Sequence, residues 1–297
     1  MDTTHRAGPE PADHGRGAAV GLGVPLLVLA SGIVATAGAF LGSGVLGGTP
    51  IAEAAGGWLG ADSTPLAPAS GAFRIWSLIY LGLLAYSVWQ VLPAQRRSGR
   101  QRALRLWAVA AMLLNAAWIW SVQLGWLEAS LLVIAVLLAV LCRILVLLVR
   151  TGPGGRVDAV VTDGTFGLYL GWVTIATVAN VSAVLGAAGV DGFGLPVPVV
   201  ASVVLAVAAL IGVATAWRSG GRLAPALALA WGLAWITVGR LDGGLESTGT
   251  AVAAGIAAAV VLVAAVVFRQ RAVRRRSASP LSFAAHPGIL GGTSHIR

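Results

Sequence analysis

Apolar residues in this 297-residue chain run in unbroken blocks of about 17 to 25, not in the short alternating stretches of half-buried strands. A helix rises 1.5 Å per residue, so a block of about 20 residues matches the roughly 30 Å hydrocarbon core of a bilayer. Such blocks cover residues 21–45, 73–92, 106–124, 127–149, 166–186, 199–217, 223–239 and 250–268. The expected fold class is therefore all-α, a polytopic transmembrane helical bundle of about eight spans.

The polar connections fix the expected orientation. Residues 93–105 carry Arg96, Arg97, Arg100, Arg102 and Arg105 with no acidic residue, as cytoplasmic segments do under the positive-inside rule. Alternation then puts Arg150 and Arg156, Arg218 and Arg222, and the stretch RQRAVRRR on the same side. It puts the first loop, residues 46–72 with Glu53 and Asp62, and the loop with Asp191 on the other side; Arg240 alone dissents. Both termini are expected in the cytoplasm, in a bacterial-type inner membrane. The polar N-terminal segment lacks a clear cleavage pattern, so the first block is read as a retained helix.

Composition strengthens this picture: 57% of residues are hydrophobic and 10% charged. The net charge of +9 comes from 20 basic residues, all arginine. Their clustering beside apolar blocks argues against a nucleic-acid partner and for contact with membrane lipid. Cys142 is the single cysteine and cannot form an internal disulfide. The four histidines, His5, His14, His286 and His295, lie in the tails, which leaves no axial ligand for a haem within the spans. No phosphate loop, His-Glu-x-x-His or cysteine pair is present, so no catalytic or metal-ligating set is expected. No Asp or Glu is expected inside a span, which disfavours ion-coupled transport.

Candidate chemistry concentrates in three spans. The second reads FRIWSLIYLGLLAYSVWQVLP, with Trp76 and Tyr80 four apart on one helical face. The third reads LLNAAWIW, with Asn115 and Trp118 three apart; the fifth carries Tyr169, Trp172, Ala176 and Asn180 as one stripe. Buried amides need partners, so Asn115 and Asn180 are read as helix-to-helix hydrogen-bonding groups or as ligand contacts. Trp76, Tyr80 and Trp118 are read as cavity lining or core packing, and Trp89, Trp107 and Trp126 as interface anchors. Gly167 and Gly171 form a small-x-x-x-small pair suited to a close helix contact. Arg143, well inside a span, is long enough to snorkel. Arg74 is read either as paired with Glu53, Asp62 or lipid phosphate, or as a partner for a ligand carboxylate.

Residues 21–186 resemble the TspO/MBR family, the tryptophan-rich sensory or translocator proteins, also called peripheral benzodiazepine receptors. The resemblance rests on three motifs in order. Trp76 and Tyr80 match a W-x-x-x-Y pattern in the second helix, and Leu114, Asn115 and Trp118 match L-N-x-x-W in the third. Tyr169, Leu170, Trp172, Val173, Ala176, Thr177 and Asn180 match Y-L-x-W-V-x-x-A-T-x-x-N in the fifth.

The resemblance implies a five-helix bundle enclosing a pocket under the long first loop, with porphyrins or other flat apolar molecules as ligands and homodimers as a common state. Carried over by motif, the ligand-binding candidates are Trp76, Tyr80, Asn115, Trp118, Trp172, Ala176 and Asn180. The VSAVLG that follows Asn180 lacks the sterol-recognition pattern of animal members, so cholesterol is not expected. The expected organisation is an N-terminal tail (1–18), a TspO-like bundle (19–188), three additional spans (189–270) and a basic tail (271–297). The leading functional expectation is a receptor or sensor for a tetrapyrrole-like ligand and not an efficient enzyme. A permease for a small hydrophobic molecule and a structural membrane subunit are the alternatives.

Overall fold

The computed structural model describes residues 21–42, 49–190, 192 and 194–277. The N-terminal tail, residues 278–297 of the C-terminal tail, all four histidines and Asp191 lie outside the described residues. Among the described residues, eight long helices carry the chain: α1 (Gly23–Gly42), α2 (Ile75–Val91), α3 (Gly99–Gln123), α4 (Leu127–Thr151), α5 (Thr165–Ala187), α6 (Val197–Ser219), α7 (Leu223–Asp242) and α8 (Thr248–Ser277). The last seven, counted with the helical turns that lead into α2 from Ser70 and into α5 from Arg156, are long and apolar enough to cross a bilayer, and α1 is a shorter apolar helix over Gly23–Ala39. The expected polytopic helical bundle is the fold observed, with the connection after α2 and the start of α5 corrected.

The arginine-rich segment 93–105 is helical on both sides of Ser98 instead of being a loop. A short helix, Pro93–Arg97, is followed directly by α3, whose first turn is capped where Ser98 Oγ accepts from the Gln101 amide at 3.3 Å. The second correction concerns the fifth span, which starts ten residues early, at Arg156, in a continuous run that includes a π-helical segment, Ala159–Gly164. Asp158 and Asp163 thus lie within helix. Both corrections have one physical cause. Arg105, Gln90, Gln101 and Asp158 are buried together and satisfy one another, so charged and amide groups continue the helices past the apolar blocks.

This network is dense. Arg105 Nε donates to Gln90 Oε1 at 2.9 Å, and Gln90 Nε2 donates to Gln101 Oε1 at 2.8 Å. Gln101 Nε2 in turn donates to Asp158 Oδ1 at 2.7 Å. Arg100 pairs with both Asp158 and Asp163, and Arg222 reaches Asp163 at 2.8 Å and the Leu148 carbonyl at 2.9 Å. The basic end of the molecule is therefore a cross-linked plate that joins α2, α3, α4 and α5 to the start of α7.

Helices α1 to α5 close a ring in the order α2, α1, α3, α4, α5 and back to α2. Its basic half is solid: Leu83, Tyr86, Leu104, Met112, Leu141, Ile144, Phe166 and Tyr169 are almost wholly buried. Helices α6 to α8 pack outside the ring, with α7 against α5 and α8 against both α6 and α7. Small residues set the α5–α7 distance. A Cβ on Gly171 would lie 2.1 Å from the Pro225 carbonyl oxygen, one on Gly167 would lie 2.8 Å from the Ala224 Cβ, and Ile175 occupies the space above Gly232. The glycine pair is thus the close helix contact its spacing predicts. The tail expected from residue 271 remains helical to Ser277, so α8 has 30 residues, about 45 Å at 1.5 Å each.

A cavity beneath the first loop

The face of α2 nearest the first loop is aromatic because Phe73, Trp76 and Tyr80 recur at spacings of three and four. Trp76 stacks on Tyr80 at 5.2 Å between centroids and 20° between planes. It meets Tyr169 and Trp172 edge-on at 5.9 and 6.1 Å, and Phe73 meets Trp172 edge-on at 5.7 Å. These rings are too bulky to interdigitate fully, and a cavity of about 540 Å³ remains. Thr36 and Ala39 of α1, Phe73 in the turn before α2, Trp76 to Leu84 of α2, Trp118 and Ile119 of α3, and Pro50 to Ala52 of the loop surround it. Its walls are mainly apolar, and none of its lining residues is charged.

Six of the seven candidate residues divide between this cavity and a smaller one. Trp76, Tyr80 and Trp118 line the large cavity. Trp172, Ala176 and Asn180 line a space of about 30 Å³ on the α5 side. Trp76, Trp118, Phe73 and Ile51 border both, and so form the partition between them. Asn115 lines neither. It is fully buried behind Tyr80, donating Nδ2–H to the Tyr80 hydroxyl oxygen at 2.7 Å, while its Oδ1 has no partner. Asn180 is also held, with its Oδ1 accepting from Ser130 Oγ of α4 at 3.0 Å. The indole N–H groups of Trp118 and Trp172 are buried without an acceptor. An unpaired buried donor or acceptor carries a desolvation cost of about 1–3 kcal/mol, which a polar group on a bound molecule would relieve if it reached one.

Sequence reasoning passed over Phe73, Ile51 and Trp58, although Phe73 sits one turn before Trp76 on the same face. It also passed over what holds the loop. At its start, Gln123 Nε2 of α3 donates to the Thr49 carbonyl at 2.8 Å. In its middle, Trp58 packs at the end of α5, where a Cβ on Gly186 would be 3.0 Å from the indole. Further ties come from α7. Arg240, 1% exposed, donates to the Ala61 and Thr64 carbonyls at 2.7 and 3.2 Å, with Asp62 3.9 Å away. Trp231 Nε1 donates to the Ala72 carbonyl at 2.9 Å, and the Ala69 amide donates to the Trp235 carbonyl at 3.1 Å. Gly71 lies so close to the Trp235 ring that a Cβ would come within 2.2 Å.

Arg240, the residue that broke the charge rule, is thus a buried clasp on loop carbonyls. Its exceptional sign was the one signal in the sequence that could have found it. Arg74 is exposed, and among the described residues it makes no ion pair with Glu53 or Asp62. Trp107 and Trp126 are exposed and Trp89 is half-buried.

No curated protein and no solved structure matches the chain. A family model described as TSPO-like protein matches residues 27–268. The match reaches from α1 into α8, so it takes in the three helices beyond residue 186 that the motif resemblance left out. With that extent, the chain is a multi-span membrane protein belonging to the TSPO-like family.

Proposed function

We propose that this protein is a membrane receptor or sensor that binds a flat, largely apolar ligand, a porphyrin being the leading chemistry, in the cavity beneath the first loop. One observation carries the reading: the stacked Trp76 and Tyr80 rings form a wall of a cavity of about 540 Å³. Ligand cavities commonly measure about 300–1,000 Å³ and combine apolar walls with a few polar groups. Here the polar groups are Thr36, Ser70, Ser77 and the Tyr80 hydroxyl, all uncharged. A planar ring system stacks on the Trp76–Tyr80 pair, and Trp118 closes the far side. Any carboxylate on the ligand belongs at the rim, where Arg74 is exposed and unpaired among the described residues. The reading is of a binding site, and no residue is assigned a catalytic role.

The arginine-rich end is assigned to the cytoplasm of a bacterial-type cell, with both chain termini there, on the strength of the positive-inside rule. Trp172, Ala176 and Asn180 serve as the second layer behind Trp76. Asn115 orients the Tyr80 hydroxyl.

Tryptophan fluorescence of the purified protein titrated with a porphyrin tests the assignment. Saturable quenching is expected, and Trp76→Leu should weaken it at least about tenfold, in keeping with an aromatic anchor worth 1–3 kcal/mol. Trp126→Leu, which removes an exposed indole that lines neither cavity, should leave the affinity unchanged. Equal affinity in wild type and Trp76→Leu would place the ligand elsewhere.

A further inference from the structure

The lipid-facing seam between α3 and α4 carries a cation that nothing else in the molecule explains. Arg143 lies on α4 two turns before Arg150, with its side chain exposed on the outside of the ring. Seven residues return a helix to nearly the same face, so Arg143 and Arg150 stand one above the other, about 10 Å apart along the axis. The Arg143 guanidinium carbon sits 5.7 Å from the centre of the Trp107 ring of α3. That contact fixes the guanidinium beside an indole that is itself 37% exposed. The carboxylates at this end, Asp158 and Asp163, are committed to Arg100 and Arg222. Among the described residues, no acidic group pairs with Arg143 or Arg150.

A lone guanidinium facing hydrocarbon is costly. Long side chains reduce that cost by reaching towards the headgroups, where an anion can meet them. The surface around the pair is apolar: Leu106 and Val146 are 64% and 41% exposed. The seam therefore offers two stacked cations, an aromatic flank and an apolar track along one stripe.

We propose that Arg143, Trp107 and Arg150 form a binding site for an anionic phospholipid in the leaflet at the basic end, the phosphate resting between the two guanidinium groups and an acyl chain lying along α3 and α4. Arginine suits this role because its planar, weakly hydrated fork bonds phosphate oxygens in pairs. Two cations with no nearby carboxylate favour a headgroup with net negative charge over a zwitterionic one. The site is separate from the loop-covered cavity and does not depend on what that cavity binds.

The test is native mass spectrometry of the full-length protein in detergent, titrated with phosphatidylglycerol or with phosphatidylcholine of the same acyl chains. Wild type should prefer phosphatidylglycerol about tenfold or more, and the double variant R143Q/R150Q should bring the two lipids within about twofold. Arg218→Gln removes an exposed arginine on α6 and should keep the preference. Equal melting temperatures in plain detergent check that the variants fold, as exposed positions allow. Four outcomes overturn the proposal. They are an undiminished preference in R143Q/R150Q, an equal loss in Arg218→Gln, inorganic phosphate displacing the lipid signal at low millimolar concentration, and a wild-type dimer that the double variant dissociates. The last would assign the seam to a second copy of the chain.

Discussion

The ring of α1 to α5 and the outer trio of α6 to α8 solve the same packing problem in opposite ways. At the loop end of the ring, Phe73, Trp76, Tyr80, Trp118 and Trp172 crowd one region, and their size keeps the helices apart around about 540 Å³ of space. At the junction of α5 with the trio, Gly171 lets α5 and α7 touch nearly backbone to backbone, Gly167 and Gly232 admit the side chains facing them, and the space left there is about 10 Å³. Without a hydrophobic drive between helices in lipid, association rests on close van der Waals fit, which small residues supply over long contact lengths. Large flat side chains thus make a vessel, and small ones make a strut. The strut has a use: α7 reaches back to fasten the vessel's cover.

The comparison breaks most completely at the seam between the two. Gly171→Leu would force α5 and α7 apart, since even a Cβ there would lie 2.1 Å from a backbone oxygen. The expected loss is about 3 kcal/mol or more, at the upper end of overpacking effects. A thermal melt in detergent would show it, and an unchanged melt would mean that the contact is far looser than described.

Removing the clasp separates cover from strut. Arg240→Leu leaves the Ala61 and Thr64 carbonyls without their donor, at a cost of about 2–4 kcal/mol expressed mainly in the loop. Amide hydrogen exchange should rise across residues 58–72 and stay constant in α6 and α8. A rise spread evenly over the trio would show that loop and strut form one cooperative unit.

Next in size is Asp163→Asn, which takes the shared carboxylate from Arg100 and Arg222 and should cost about 1–3 kcal/mol at the basic end. Porphyrin affinity should not change, because the cavity lies at the opposite end. Smallest is Trp231→Phe, which keeps the ring and deletes the hydrogen bond to the Ala72 carbonyl, for about 1 kcal/mol. Finding it larger than Arg240→Leu would reverse the order of importance along α7.

The spans were legible because a bilayer demands about 20 apolar residues in a row and the chain supplies them. Trp76 and Tyr80 were legible as one helical face from their spacing of four, whereas the sequence left them and Trp118 open between cavity lining and core packing, and all three border the large cavity. The early starts of α3 and α5 were not, since hydropathy treats Arg105, Gln101 and Asp158 as ends. Only their mutual hydrogen bonds turn them into helix interior. Asn115 was read as a glue group or a ligand contact, and its amide bonds Tyr80 while the opposite atom stays unpaired. A single sequence cannot divide those roles, because both need the same residue in the same place. Arg240 was hidden for a related reason: its partners are backbone carbonyls of a distant loop, which leave no mark on residue type. The trio carried no motif because contacts made through Gly and Ala need only smallness.

The ties from α7 to the first loop sit at residues 231, 235 and 240, about 13 Å apart from first to last along the helix. A cover fastened at several heights cannot swing about one edge; it has to peel, and each released contact adds to the barrier before the next gives way. Under the proposed binding function, passage past that cover should be slow and stepwise, and a ligand dissolved in the bilayer should meet less resistance sideways, past the exposed Ser77 and Leu81 on α2, than from above.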